Sequence, residues 1–192
     1  MVRTPPARVG RRPEPTMETL RLALYQPDIP QNAGALMRLA ACLDLGLDVV
    51  EPCGFLLDDR RLRRAGMDYL DQARWRSHVS WEAFQASLAA EGRRLVLLTT
   101  AGEARHDRFV FRPGDTLMAG RESCGVPAAV AAAAAARLRV AMRPGVRSLN
   151  VALATTLAAG AALAQLGAFP PDPHPPQAPP AGPGPRVRRR NR

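Results

Sequence analysis

Short apolar runs take turns with longer stretches of helical character along this chain, and that order constrains its fold more than any other feature. "LRLALY" (Leu20–Tyr25), "LDVVEP", "RRLVLLTT", "DTLMAG" and "LRVAM" read as strands. Between them lie helix patterns with recognisable ends. Asn32 can cap a helix running to about Leu43, with Leu36, Leu39, Ala40 and Leu43 on one face. Asp58 and Asp59 open a short arginine-rich helix, "DDRRLRRAG", which Gly66 closes. Ser80 caps "SWEAFQASLAAEG", which ends at Gly92. Pro127 sits in the first turn of "VPAAVAAAAAAR", and Ser148 or Asn150 begins the last helix. Such alternation predicts an α/β fold with a mainly parallel sheet flanked by helices.

At 192 residues and 46% apolar content, the chain suffices for one compact domain. Its ends differ from its middle. Residues 1–17 and 170–192 are rich in proline and hold nine arginines against Glu14 and Asp172. Segments of this composition cannot bury enough apolar surface to fold, so they read as disordered basic tails around a folded region at 18–169. They suit a polyanion such as RNA, or they serve only to keep the chain in solution.

All 27 basic residues are arginine. The lack of lysine excludes a P-loop kinase site and Schiff-base chemistry. Cys42, Cys53 and Cys124 have no metal-ligand spacing, and His78, His106 and His174 lie apart. Neither a metal site nor a disulfide framework is expected. No signal-peptide pattern opens the chain, and a cytoplasmic location fits. Leu149–Phe169 is long enough to span a bilayer, but it is mostly alanine, contains Asn150, Thr155, Thr156 and Gln165, and has no tyrosine or tryptophan belt. It reads as a helix buried in a soluble core rather than a membrane span.

In open α/β sheets, ligands gather beyond the carboxyl ends of the strands. Three loops there are chemically unusual. "PDIPQNAGALMR" places Asn32 and Arg38 around a helix start, where by themselves they need be no more than a cap and a solvated charge. "LMAGRESCGVP" puts Arg121 and Glu122 directly after an apolar strand, between two glycines that let backbone approach a ligand. A structural ion pair between Arg121 and Glu122 is the plainer account. The stretch misses a GxSxG elbow because Arg121 stands two before Ser123, which argues against a hydrolase. No GxGxxG marks a nicotinamide dinucleotide site. "MRPGVRSLNVA" gathers donors at a helix start, where an anion or an adenine-like edge can bind, or where an ordinary cap suffices.

Taken in order, Asn32 with Arg38, "GRESCGVP" and "MRPGVRSLNVA" resemble the three motifs of the ribose-methylating branch of the SPOUT superfamily of methyltransferases. "LYQPDIPQNAGALMRLA", "EPCGFLLDDRRLRRAGMDYLD" and "LLTTAG" are similar to its small TrmL-type (YibK-type) group, which acts on the tRNA wobble nucleotide. The likeness runs from about Leu20 to Leu166, with Ala141 standing where many relatives carry proline. The resemblance implies a deep C-terminal trefoil knot and a homodimer whose sites combine loops of both subunits. It implies a pocket for S-adenosyl-L-methionine lined by Leu98, Gly120, Val140 and Ser148, with Thr99, Met142 and Leu149 close by. The reaction implied is methylation of the ribose 2′-hydroxyl of a wobble cytidine or 5-modified uridine in tRNA. Arg38 would stand beside that hydroxyl, Glu122 would hold Arg38 or Arg121, and Asn150 would fix the active-site loop. Asn32, Arg60, Arg61, Arg63, Arg64 and Arg121 would face the RNA. Tyr69 would stack on a base or pack in the core. The same scaffold also admits a ribosomal RNA substrate, another tRNA position, or a non-catalytic RNA-binding protein.

Overall fold

The structure, a computed structural model, describes residues 18–56 and 73–171. The amino-terminal tail, all but the start of the carboxyl-terminal one, and the helix expected from Asp58 to Gly66 lie outside those residues. Arg60, Arg61, Arg63, Arg64 and Tyr69 therefore lie outside them too.

Seven strands form one sheet: β1 (Leu20–Tyr25), β2 (Gly46–Val50), β3 (Arg74–His78), β4 (Arg94–Leu98), β5 (Ala104–Arg105), β6 (Asp115–Ala119) and β7 (Ala136–Arg139). Their order is β3-β2-β1-β6-β4-β7-β5, and every neighbouring pair runs parallel. The described helices are α1 (Pro30–Cys42), α2 (Trp81–Ala90), α3 (Ala128–Ala132) and α4 (Val151–Leu166).

The period of two in a strand sends alternate side chains to opposite faces. Leu22 and Leu24 of β1, Val96 of β4 and Leu117 of β6 pack with Leu36 and Met37 of α1 and Ala158 and Leu163 of α4. Their sequence neighbours Ala23, Leu97 and Met118 join Phe84 and Leu88 of α2 and Val130 of α3 on the other face. Helices thus cover both faces, as a parallel sheet requires.

Several boundaries differ from the sequence reading. α1 starts at Pro30, where the missing N–H costs nothing, so Asn32 lies inside the first turn and Ile29 takes the cap position. The alanine run favours helix by propensity, yet α3 has only five residues. The Ala135 amide bonds the Leu95 carbonyl, and β7 begins at Ala136, ahead of the expected Leu138. Sheet pairing takes those alanines from the helix. β3, "RWRSH", is a polar edge strand with no apolar run to announce it. α4 is buried only along Ala152, Thr155, Ala158, Ala159, Ala162 and Leu163. Leu153 and Leu157 on its other side are 59% and 49% exposed, so the helix is not buried all round as expected. No described helix is long and apolar enough to cross a membrane.

One fully buried carboxylate ties the left half of the sheet together. Asp48 of β2 accepts from Arg21 Nε of β1 at 3.0 Å and from Arg76 of β3, and lies 2.8 Å from His78 Nε2. Burial by itself would raise this carboxyl. The bonds from Arg76 and His78 and the charge of Arg21 outweigh burial and hold it below the usual range. Asp48→Ala should cost about 1–3 kcal/mol, because Arg21 Nε and His78 Nε2 lose their buried acceptor while Glu18 still pairs with Arg21 Nη1 at 2.7 Å. Urea unfolding at neutral pH measures that loss. The folded carboxyl titrates below its unfolded value of about 3.9, so its stabilisation is complete above that pH and disappears as pH falls through the folded value. The variant should lack that part of the acid dependence.

Candidate active site

Strand order decides where a site can form. The chain builds outward from β1 to β3, then places β4 on the other side, and β6 later fills the gap between β1 and β4. Where the direction of winding reverses, the loops at the carboxyl ends part and leave a crevice. A cavity of about 680 Å³ lies beside this crevice, beyond the carboxyl ends of β6, β4 and β7. It is lined by Leu98 and Thr99 at the end of β4, by residues 120–126 after β6, and by Val140, Met142, Arg147, Ser148 and Leu149 between β7 and α4. Leu98, Thr99, Gly120, Val140, Met142, Ser148 and Leu149, the residues expected to hold a cofactor, border this one cavity. Arg139 Nη1 donates to the carbonyls of Gly102 and Glu103, at 2.6 Å each, and so anchors the loop after β4 to β7.

The loop after β6 is a closed turn. Arg121 and Gly125 exchange two backbone hydrogen bonds of 2.9 Å, and Gly125 takes a φ of +70° that few other residues adopt. Gly120 makes the closure possible. A Cβ there would lie 2.8 Å from the Gly125 carbonyl carbon and 2.9 Å from Val126 Cγ1.

Glu122, at the head of this turn, is the meeting point of all three motifs. The Asp28 amide donates to its Oε2 at 2.7 Å, and Asn32 Nδ2 donates to its Oε1 at 2.9 Å. Asn150 Nδ2 donates to Asn32 Oδ1 at 2.9 Å. Asn150 Oδ1 caps α4, accepting from the amides of Ala152 and Leu153. The direction of this chain is forced. Helix amides only donate, so Asn150 must turn its oxygen to them and its Nδ2 to Asn32. Asn32 then receives on oxygen and gives from nitrogen. Glu122, with a donor on each oxygen, is an acceptor, as a carboxylate is.

The other candidates take separate places. Arg121 does not pair with Glu122, contrary to the plainer account and to the Arg121 half of the expected Glu122 role. Its Nε and Nη2 donate to Asp28 Oδ1 at 3.2 and 2.8 Å, while the oxygens of Glu122 accept from neutral donors. Asn32, expected to face RNA, is buried with both ends of its amide engaged. Arg38 projects from the exposed side of α1 and is not among the described residues that line the cavity. Sequence reasoning passed over Asp28 and Arg147. Arg147 reaches the cavity wall, and Asp28 is pulled down to about 2 by the bonds from Arg121 and Ser123. The only sequence signal for Asp28 was an acid at the carboxyl end of a strand, and its partner Arg121 is 93 positions away.

A parallel α/β sheet with a ligand-sized, mixed polar and apolar cavity beyond the carboxyl ends of its strands is the architecture of a protein that binds a small molecule. Residues 19–160 match the SpoU rRNA Methylase family, and the chain belongs to that family. It is 55% identical over 148 residues to a tRNA (cytidine(34)-2'-O)-methyltransferase of Beijerinckia indica, covering 77% of this chain and 92% of that one. A solved structure concerned with 2-OH methylation of C/U34 on tRNA superimposes with a TM-score of 0.73 at 43% identity, over 79% of this chain and 99% of the other. The SpoU methyltransferase AviRb from Streptomyces viridochromogenes, in complex with the cofactor AdoMet, shares the fold at 23% identity, with a TM-score of 0.70, over 79% of this chain and 62% of that one.

The forced polarity of the amide chain has a measurable consequence. Asn150→Ala should lose the helix cap and about 1 kcal/mol of stability, together with methyl transfer. Asn150→Asp keeps an oxygen on the helix amides but faces Asn32 with an acceptor. It should melt closer to wild type than the alanine variant while losing methyl transfer by about tenfold or more.

Proposed function

We propose that the protein methylates the ribose 2′-hydroxyl of the wobble nucleotide of tRNA, a cytidine or 5-modified uridine at position 34, using S-adenosyl-L-methionine. The observation that carries this reading is the junction of Glu122, Asn32 and Asn150 at the rim of a cofactor-sized cavity, in a chain 55% identical to an enzyme named for that reaction. The cavity residues fit the cofactor. A volume of about 680 Å³ suits a ligand of that size, and its wall mixes apolar Leu98, Val140 and Met142 with polar Thr99 and Ser148. Gly120 lets the turn that borders the cavity close, since a Cβ there would strike the Gly125 carbonyl carbon at 2.8 Å. When bound, S-adenosyl-L-methionine supplies a methyl group already activated on a sulfonium.

The protein's task is then alignment and charge control. Holding the hydroxyl in line for attack can lower the barrier by up to about 7–11 kcal/mol. A guanidinium stays protonated in proteins, so Arg38 stabilises the oxyanion that develops on the ribose rather than abstracting its proton. Glu122 shapes the site through the bonds it accepts from Asp28 and Asn32. Arg60, Arg61, Arg63 and Arg64, within the domain at 18–169, contact phosphates.

A second copy completes the enzyme in this reading. Leu153 and Leu157 stand one turn apart on the outer side of α4, with Val146 and Leu149 exposed just before it. An apolar strip of this kind, beside a cavity, is a natural seat for a symmetry-related helix. The family's C-terminal trefoil knot belongs to the same proposal, as does a cytoplasmic location beside its substrate.

Mass spectrometry of tRNA nucleosides, with and without the protein, should show loss of 2′-O-methylation at position 34 alone. Modification appearing in ribosomal RNA instead would reassign the substrate. Arg38→Ala should lower methyl transfer by about 100-fold while calorimetry shows unchanged affinity for S-adenosyl-L-methionine. Gly120→Ala should abolish that affinity.

A further inference from the structure

We propose that Asp28 is a positioning residue for methyl transfer, whose carboxylate holds Arg121 away from Glu122 and whose amide holds Glu122 in place. The inference rests on the reaction proposed above.

Asp28 bonds three consecutive residues of the turn after β6. Its Oδ1 accepts from Arg121 Nε and Nη2, its Oδ2 accepts from the Ser123 amide at 3.1 Å and from Ser123 Oγ, and its own amide donates to Glu122 Oε2. A closed turn is thereby fixed on both sides of Glu122 by one residue 93–95 positions away. Asp28 is itself held to the end of the sheet. The Gln26 amide bonds the Val50 carbonyl, and the Gly54 amide bonds the Pro27 carbonyl, each at 2.9 Å. Gln26 Oε1 takes a further contact from Arg121 Nη1 at 3.4 Å.

Two carboxylates compete here for one guanidinium. Arg121 adjoins Glu122 in sequence and is its natural ionic partner. A charged donor outcompetes the neutral amide of Asn32, since charge-assisted bonds are about twice as strong. If Glu122 turned to Arg121, Asn32 would lose its acceptor, and the ordered chain through Asn150 to α4 would lose its end. Asp28 prevents this by taking Arg121 in a forked pair. That pairing also turns a partly exposed arginine at the rim of the cavity toward Asp28 rather than toward Glu122.

Asp28→Asn tests the idea with almost no change of shape. It keeps an acceptor for Ser123 and the backbone bond to Glu122, but it cannot hold Arg121 as an ion. The full chain should show kcat reduced by about 10- to 100-fold. The KM for tRNA and the calorimetric Kd for S-adenosyl-L-methionine should stay within about threefold. Amide exchange should quicken in the peptide spanning residues 120–126 and remain unchanged in β1, β4 and β6. The added substitution Arg121→Gln removes the competitor, so Asp28→Asn with Arg121→Gln should regain part of the lost kcat. An unchanged kcat in Asp28→Asn overturns the proposal. So does a parallel fall of kcat, cofactor affinity and melting temperature, or a double variant no better than the single one. If the wild-type protein does not methylate tRNA, the functional reading fails instead. The exchange of residues 120–126 then decides by itself whether Asp28 holds the turn.

Discussion

β6 runs between β1 and β4, and the rest of the molecule follows from that placement. It pairs in parallel with both, Leu117 facing Leu22 on one side and Val96 on the other. A strand in that position must carry its loop to the same edge as the loops of its neighbours. The three motifs come from the ends of β1, β6 and β7, yet their polar groups meet within hydrogen-bond distance around Glu122. Asn150 reaches the junction at the end of the irregular stretch 140–150, which leads from β7 to α4. The sheet brings the partners together, and the hydrogen bonds only select among arrangements that it already permits.

The two carboxylate clusters show how differently such groups can be used. Asp48 is fully buried and surrounded by Arg21, Arg76 and His78, and its contribution is to stability across β1, β2 and β3. Glu122 and Asp28 sit at the cavity rim, where each accepts bonds that aim another group. Asp28 takes the cation, and that leaves Glu122 to neutral donors. A carboxylate bound by an amide and a backbone N–H holds its geometry without burying a net charge pair. The cap of α4 ends the same chain, so the orientation of a catalytic-loop side chain is tied to a helix that packs on the sheet core.

Much of the fold was legible in the sequence, because burial on both faces leaves continuous apolar runs such as "LRLALY" and "DTLMA". β3 was not, since an edge strand with alternating arginines needs no such run. The short α3 was missed for a related reason. Alanine favours helix locally, and only pairing with β4 reveals that Ala136 belongs to a strand. The cavity residues Leu98, Gly120, Val140 and Ser148 were placed by resemblance, since nothing in their spacing brings them together. Asp28 escaped notice because an acid in a proline-bounded loop looks like turn chemistry.

The sequence by itself determined most of the elements and the supply of polar groups: the glycines that let the turn after β6 close, the asparagine that caps α4, the arginines without lysine. Those are local properties, written in periodicity and backbone preference. Tertiary structure decided the partners. Arg121 chose Asp28 over its own neighbour Glu122, and Asn32 turned from cap to buried link. Such choices depend on distances across the sheet edge between residues about a hundred positions apart, and chain separation carries no record of them.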